Sequence, residues 1–161
     1  MSWNPKEAGR MANAKDSETA RKQIELDAER KSKTQIERNR RQRGPSVVGP
    51  TVQHIMRFAQ AKAGEFNAVI ENASARAEVL PVKYGLGPIP HEFDVRRGIR
   101  SVRFTPNYNE WAVTLAFSDG TSKNFEVVED PATHQVSLKG SDDRQMTEED
   151  VALEGCKFAL Q

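Results

Sequence analysis

The residues of this 161-residue chain that could do chemistry are three histidines, one cysteine and several closely spaced carboxylates. The run HEFD places His91 before Glu92 and Asp94, and imidazole and carboxylate groups are common ligands of divalent metal ions. This run lacks the second histidine at helical spacing that a helical zinc motif requires. We therefore expect a solvated loop here, and we predict no metal-ligating residue in the chain.

Two other features could indicate catalysis or cofactor binding. Cys156 falls on the apolar side of a short predicted helix, with no histidine near it in sequence, so we predict a buried structural thiol. Gly85-Leu86-Gly87 is not followed by the third glycine of a dinucleotide loop or by the Gly-Lys-Ser/Thr of a phosphate loop. We predict no catalytic residue and no cofactor, and we expect that the protein is not an enzyme.

Composition limits the class of protein. Hydrophobic residues make up 37% of the chain and charged residues 29%, whereas an average globular domain is about 45–50% apolar. No apolar run approaches the roughly 18 residues that span a membrane, and the first residues lack the layout of a secretory signal. The single cysteine excludes an internal disulfide. We expect an intracellular (cytoplasmic) protein, or one within a virus particle, with no membrane partner.

The net charge of +1 hides a gradient along the chain. Residues 1–50 carry 12 basic and 7 acidic side chains, whereas residues 99–161 carry 6 and 11. The basic excess is concentrated at residues 30–43, where Glu37 is the only acid. We predict that the following side chains contact nucleic acid or an acidic protein partner: Arg30, Lys31, Lys33, Arg38, Arg40, Arg41 and Arg43. The acidic end of another copy is one such partner, and it would favour head-to-tail association.

Helix-forming residues dominate the N-terminal part of the chain, so we predict a charged basic helical arm over residues 1–44. Its apolar residues are too sparse for a continuous buried stripe. Gly44-Pro45 is predicted to end this helix, and Gly49-Pro50 to begin the next element. The sequence leaves open whether the two N-terminal helices form a hairpin or extend apart.

Residues 51–80 show the strongest periodicity in the chain. Apolar side chains recur at alternating spacings of four and three over four heptads, which predicts a helix with a continuous interface. We predict that this helix interface consists of Val52, Met56, Ala59, Ala63, Phe66, Ile70, Ala73 and Ala77. The pattern fits a helix packed on its own domain or a coiled coil with another chain.

Residues 81–98 contain three prolines and three glycines. A connection of this length is uncommon within a compact domain, and it usually forms a binding loop or a linker. We therefore predict a Pro/Gly-rich connecting loop over residues 81–98.

The pattern changes again from residue 99, where apolar residues alternate with polar ones and so predict β-strands. Asp119-Gly120 is typical of a tight hairpin between two of them. Thr147 and Asp150 have the spacing of a helix cap, and the apolar stripe of that last helix could cover the sheet. We predict a β-meander of three or four strands plus a C-terminal helix over residues 99–161.

Together these patterns predict the α+β class, with extended N-terminal helices (one long and charged, one heptad-patterned) followed by a small antiparallel β-meander packed with a C-terminal helix. We expect a non-enzymatic structural or adaptor subunit of a larger protein assembly, of the kind found among phage particle components. It would associate through its N-terminal helices as a homo-oligomer or as a subunit of a hetero-assembly. The alternative is a nucleic-acid-binding accessory or regulatory protein that acts through the basic helix 30–43.

Overall fold

A computed structural model describes residues 2–84 and 90–161 of the chain. Within these residues lie a long helix α1 (Pro5–Asn67), a short 3₁₀ helix (Ala73–Ala75), seven strands and a C-terminal helix α2 (Glu148–Ala159). The strands are β1 (Glu78–Tyr84), β2 (Pro90–Arg97), β3 (Arg100–Asn107), β4 (Ala112–Phe117), β5 (Ser122–Glu129), β6 (Val136–Lys139) and β7 (Gln145–Met146). The predicted α+β class is confirmed, with more strands than the sequence suggested.

The chain divides into two compact units, residues 1–40 and residues 41–161. The first unit contains the N-terminal segment, by which we mean residues 5–40 of α1. Every residue of this segment except Ala8 is exposed. The second unit contains the rest of α1, the sheet and α2 around one hydrophobic core.

Helix α1 continues through Gly44-Pro45 and Gly49-Pro50, so the predicted helix end at this point is wrong. A proline inside a helix costs about 3 kcal/mol, because it removes a hydrogen bond and crowds the preceding turn. Burial of the residues around and after the prolines offsets this cost. The buried side chains of this part of α1 are Val47, Val48, Thr51, Val52, Ile55, Ala59 and Ala63.

Helix α1 ends at Asn67, so the prediction of a helix as far as residue 80 is wrong beyond this point. The Asn67 side chain binds the backbone of Ala77 twice: Nδ2 donates to the Ala77 oxygen at 2.9 Å, and Oδ1 accepts from the Ala77 nitrogen at 2.7 Å. This pair of hydrogen bonds fixes the turn between the helix and strand β1. The three-four spacing that continues through Ile70 and Ala73 is therefore not carried by an α-helix.

The sheet is an antiparallel meander in which each strand pairs with the next in sequence, from β1 to β7. Strands β1 and β2 occupy most of residues 81–98, so the prediction of a connecting loop there is wrong. The prolines lie where strands tolerate them, because Pro81 is in an edge strand of the described sheet and Pro90 is the first residue of β2. Residues 85–89, which include the Gly-Leu-Gly run, lie outside the described residues.

One face of the sheet carries the hydrophobic core. The buried side chains that alternate along β3, β4 and β5 are Val102, Phe104, Val113, Leu115, Phe117, Phe125 and Val127. Trp111, which precedes β4, is also buried in this core. Phe93 of β2 also points inward and stacks on Phe104 of β3, with the ring centroids 4.4 Å apart. Buried side chains of both α1 and α2 belong to the same cluster, so two helices cover this face. The sequence predicted only α2 as its cover.

Helix α2 begins with the predicted capping box. The Asp150 N–H donates to the Thr147 hydroxyl at 3.1 Å, and the Thr147 N–H donates to the Asp150 carboxylate at 3.0 Å. Gly155 faces the sheet, where a Cβ atom would collide with the Phe104 ring. This glycine weakens the helix interior, but it allows α2 to pack closely on β3.

Gly44 is the corresponding close approach of α1. A Cβ atom at this position would collide with the backbone oxygen of Tyr108, which follows β3. We predict that Gly44→Ala lowers the free energy of unfolding by roughly 1–3 kcal/mol, because the backbone must shift to accept the extra atom. Chemical denaturation of the full chain measures this change.

Gly64→Ala is the matched control, since Gly64 lies in the same helix and a Cβ atom there would meet nothing within 4 Å. Alanine should raise the stability of the helix at that position by about 0.5–1 kcal/mol. Equal effects of the two substitutions would show that Gly44 is not required for the packing of α1 on Tyr108.

Candidate interaction surfaces

All seven predicted basic contact residues are exposed on α1, but Arg43 is also hydrogen-bonded to Glu129. The other six form one surface. They are Arg30, Lys31, Lys33, Arg38, Arg40 and Arg41. At 3.6 residues per turn they fall within about half of the helix circumference, so a single polyanionic partner could contact most of them. We call these six residues the basic face.

Arg43 does not belong to the basic face, because it is bound within the second unit. Its guanidinium Nη2 donates to both carboxylate oxygens of Glu129, at 2.8 and 3.1 Å, and its Cζ lies 5.8 Å from the Trp111 ring centroid. These hydrogen bonds are the main reason that the pKa of Glu129 lies below its ordinary value, and His134 at 3.6 Å adds to the effect. Arg43 therefore joins α1 to strand β5.

The residues of the predicted helix interface are distributed over two kinds of structure. In α1, Val52, Ala59 and Ala63 are buried, and Met56 and Phe66 are half-buried. Beyond the helix, Ile70 is half-buried, Ala73 is exposed in the 3₁₀ helix, and Ala77 is buried beside Asn67.

Contacts of the helical members lie within the same chain. Val52 and Ala59 belong to the core cluster, and Met56 packs against it. The Arg97 guanidinium lies over the Phe66 ring, 4.9 Å from the ring centroid to Cζ. The structure thus places this part of α1 on its own domain, as the first of the two sequence interpretations describes.

The HEFD run lies mostly in strand β2, so the expectation of a solvated loop is wrong. Glu92 and Asp94 are 7% and 5% exposed, on the opposite face of the sheet from Phe93. Arg103, directly across from Asp94 on β3, donates from Nε at 2.8 Å and from Nη2 at 3.1 Å to its two carboxylate oxygens. These bonds to Asp94 raise the pKa of Arg103 further above its usual value. The group is a paired ion network across two strands.

Sequence reasoning missed this network, although the signal for it was present. Glu92 and Asp94 alternate with apolar residues, as Arg103 and Thr105 do on the next strand. The register aligns Asp94 with Arg103, and the Thr105 hydroxyl donates to the Glu92 carboxylate at 3.1 Å. Pairing opposite charges across a predicted hairpin would have suggested it.

Several acids of the C-terminal third are also engaged within the chain. Glu148 Oε2 lies 2.8 Å from His54 Nδ1, and Lys123 Nζ donates to Glu154 at 2.9 Å. Desolvation raises the pKa of Glu148, and the neighbouring His54 partly opposes this effect. Asp150 caps α2. These pairings leave less of the acidic end for a head-to-tail contact with the basic face of another copy.

Cys156 is buried, as predicted, and burial raises the pKa of its thiol to about 11. It contributes to a groove of about 500 Å³ between the end of α1 and α2, lined also by Lys62, Phe66 and Leu153. A thiol with this pKa is protonated at neutral pH and is a weak nucleophile. The groove offers apolar packing rather than thiol chemistry.

No group of three His, Cys, Asp or Glu side chains within the described residues is arranged to hold a metal ion. The side chain of His91 lies outside that description. No helix of the described part of the chain is both long enough and apolar enough to cross a membrane. No protein-family model, curated protein or solved structure matches this chain.

The bonds of Arg43 allow its structural role to be tested. We predict that Arg43→Met lowers the denaturation midpoint at pH 7. Because the pKa of Glu129 is depressed in the folded protein, the stabilisation from this pair is present above the pKa of the unfolded state and is lost as the pH falls through the folded pKa. The difference from the unsubstituted protein should therefore shrink in acid. Denaturation curves between pH 7 and pH 3 measure it.

Arg41→Met is the matched control, because Arg41 is an exposed neighbour on the same helix. Its substitution should leave the midpoint nearly unchanged at every pH. If both variants lose the same stability at pH 7, the Arg43–Glu129 pair does not hold α1 to the sheet.

Proposed function

We propose that this protein is a non-enzymatic structural or adaptor subunit of a larger assembly, and that it associates through the N-terminal segment of α1. The supporting observation is a contrast within one helix. Residues 44–63 bury one face in the core of the second unit, whereas the N-terminal segment leaves its large apolar side chains exposed. Those side chains are Met11, Ile24, Leu26 and Ile36.

The physical argument concerns what stabilises such a segment. Most helical stability in proteins comes from packing an apolar face rather than from intrinsic propensity. Within the N-terminal segment, Met11, Ile24 and Ile36 remain 69%, 68% and 63% exposed. Full burial of one such side chain is worth about 1.5–3 kcal/mol. A partner that covers them would therefore stabilise the segment and gain binding energy from the same contact.

Removal of residues 1–40 tests this proposal. These residues form a unit of their own and contribute no residue to the hydrophobic core, so residues 41–161 should keep a cooperative unfolding transition. We predict that the full chain has a mass larger than its 18.0 kDa monomer by light scattering, and that the shortened chain is monomeric. Identical monomeric masses for both would contradict self-association through this segment.

A second candidate function, binding of nucleic acid, is supported by the basic face. Its six cationic side chains lie within about half of the circumference of an exposed helix. Glu37 is the only acid among residues 30–41. Such a surface would bind phosphates without reading bases, and each contact would release counterions. We place this function second because Arg43, one of the seven predicted contacts, is already bound to Glu129.

Titration with random duplex DNA at increasing salt separates the two functions. For an assembly subunit we predict no measurable binding at physiological salt. For a nucleic-acid binder, the logarithm of the binding constant would fall linearly with the logarithm of the salt concentration. The triple variant Arg38→Ala, Arg40→Ala, Arg41→Ala would then reduce the steepness of this line by about 2.7, or about 0.9 for each lost phosphate contact. The matched control is the triple variant Lys6→Ala, Arg10→Ala, Lys15→Ala, which removes the same charge outside the basic face. It should reduce the salt dependence less than the variant of the basic face does.

A further inference from the structure

The charges of the N-terminal segment are ordered along its axis. Residues 16–29 carry five acids and two bases, whereas residues 30–40 carry five bases and one acid. The acids of the first part are Asp16, Glu18, Glu25, Asp27 and Glu29. The bases of the second part are Arg30, Lys31, Lys33, Arg38 and Arg40. Residues 16–40 therefore consist of an acidic half followed by a basic half, and residues 5–15 before them carry three bases and one acid.

The segment also carries a row of small and apolar residues at intervals of four. The row is Ala20, Ile24, Ala28, Ser32 and Ile36. Residues four apart form one of the ridges by which helices pack, and two such ridges fit together at a crossing angle of about −50°. Ala28 and Ser32 at its centre are small enough for two backbones to approach closely. All five residues are exposed.

The row is nearly symmetrical about Arg30. Ala28 and Ser32 lie two residues to either side of it, and Ile24 and Ile36 lie six residues to either side. A two-fold axis near Arg30 would therefore bring Ile24 of one copy onto Ile36 of a second copy, and the reverse contact would form at the same time. Symmetrical contacts of this kind define a closed dimer.

From these two features we infer that the N-terminal segment pairs with the same segment of a second copy, in antiparallel orientation, about an axis near Arg30. This inference rests on the proposed function and specifies its partner. The row supplies the apolar contact, and the charge order selects the orientation. Antiparallel pairing sets acidic halves against basic halves, whereas parallel pairing in register sets like charges together.

The basic face lies on the side of the helix away from the centre of the row, so few cations meet the partner directly. Lys31 and Lys33 flank the row, as do Glu25 and Glu29, whereas Arg30 points away from it. The attraction between halves therefore acts over distances comparable with the Debye length of about 8–10 Å, and it weakens with salt.

Charge reversal in the full chain tests the role of charge. Glu25→Lys, Asp27→Lys and Glu29→Lys together give both halves of residues 16–40 a basic excess. Arg30→Glu, Lys31→Glu and Lys33→Glu together give both halves an acidic excess. We expect each variant to dissociate about tenfold more readily than the unsubstituted dimer at low salt. A mixture of the two variants should form a heterodimer, as sedimentation velocity would show. If both variants form dimers as stable as those of the unsubstituted protein, the inference is overturned. The proposed function would still hold in that case if removal of residues 1–40 lowers the mass measured by light scattering.

Disulfide trapping tests the orientation. Ala28→Cys and Ser32→Cys keep both isoleucines, and the native Cys156 is buried. An antiparallel dimer should cross-link faster when the two variants are mixed than when either is alone, because residue 28 of one copy meets residue 32 of the other. Faster cross-linking of each variant with itself would establish parallel pairing and overturn the inference. If the protein forms dimers but no combination of variants cross-links, the contact lies elsewhere in the molecule, and the inference is also overturned.

Discussion

The structure depends on covering a single apolar sheet face, because a meander exposed on that face would leave Phe104, Val113 and Leu115 in water. Two helices meet this requirement, and both approach through glycine. The lack of a Cβ atom at Gly155 allows α2 to pack closely on the Phe104 ring, and the same lack at Gly44 allows α1 to pack closely on the backbone of Tyr108. The burial that follows explains why α1 tolerates two prolines. The helix that covers the core is the same helix whose preceding residues are exposed.

Local rules predicted local features and failed where a distant contact decides the structure. The Thr147–Asp150 capping box depends on neighbouring residues and is present as predicted. The hairpin at Asp119-Gly120 is also present, but the Phe117 N–H donates to the Thr121 oxygen at 2.9 Å, so its loop runs from Ser118 to Gly120 rather than over the two residues that Asp-Gly typically forms. Gly44-Pro45 has the local pattern of a helix end, but the helix continues through it. The burial of the surrounding helix residues against the sheet, near Tyr108, outweighs the local cost of the proline. Periodicity alone likewise could not predict where α1 ends. The Asn67 side chain fixes this end by binding the backbone of Ala77, ten residues later in the chain.

The residues best suited to chemistry stabilise the fold instead. Asp94 lies within the predicted metal-like run, and strand register pairs it with Arg103 rather than with a second ligand. The signal for this pairing was the alternation of charged and apolar residues on two neighbouring strands, and the prediction of a loop over residues 81–98 concealed it. Cys156 shows the opposite case: its place on an apolar helix face was visible in sequence, and burial follows directly. These groups are engaged in the second unit, whereas the residues of the N-terminal segment other than Ala8 are exposed.

The two surfaces of that helix do not exclude each other. The centre of the row, at Ala28 and Ser32, lies on the opposite side of the helix from Arg30 and Arg41, so a dimer formed through the row would keep these two cations outward. An antiparallel pair would then present two basic faces related by symmetry. Two linked faces bind one polyanion more tightly than a single face, because the second contact becomes intramolecular. If titration shows that the basic face binds phosphates, self-association would strengthen that binding, and a polyanion long enough to reach both faces would in turn favour the dimer.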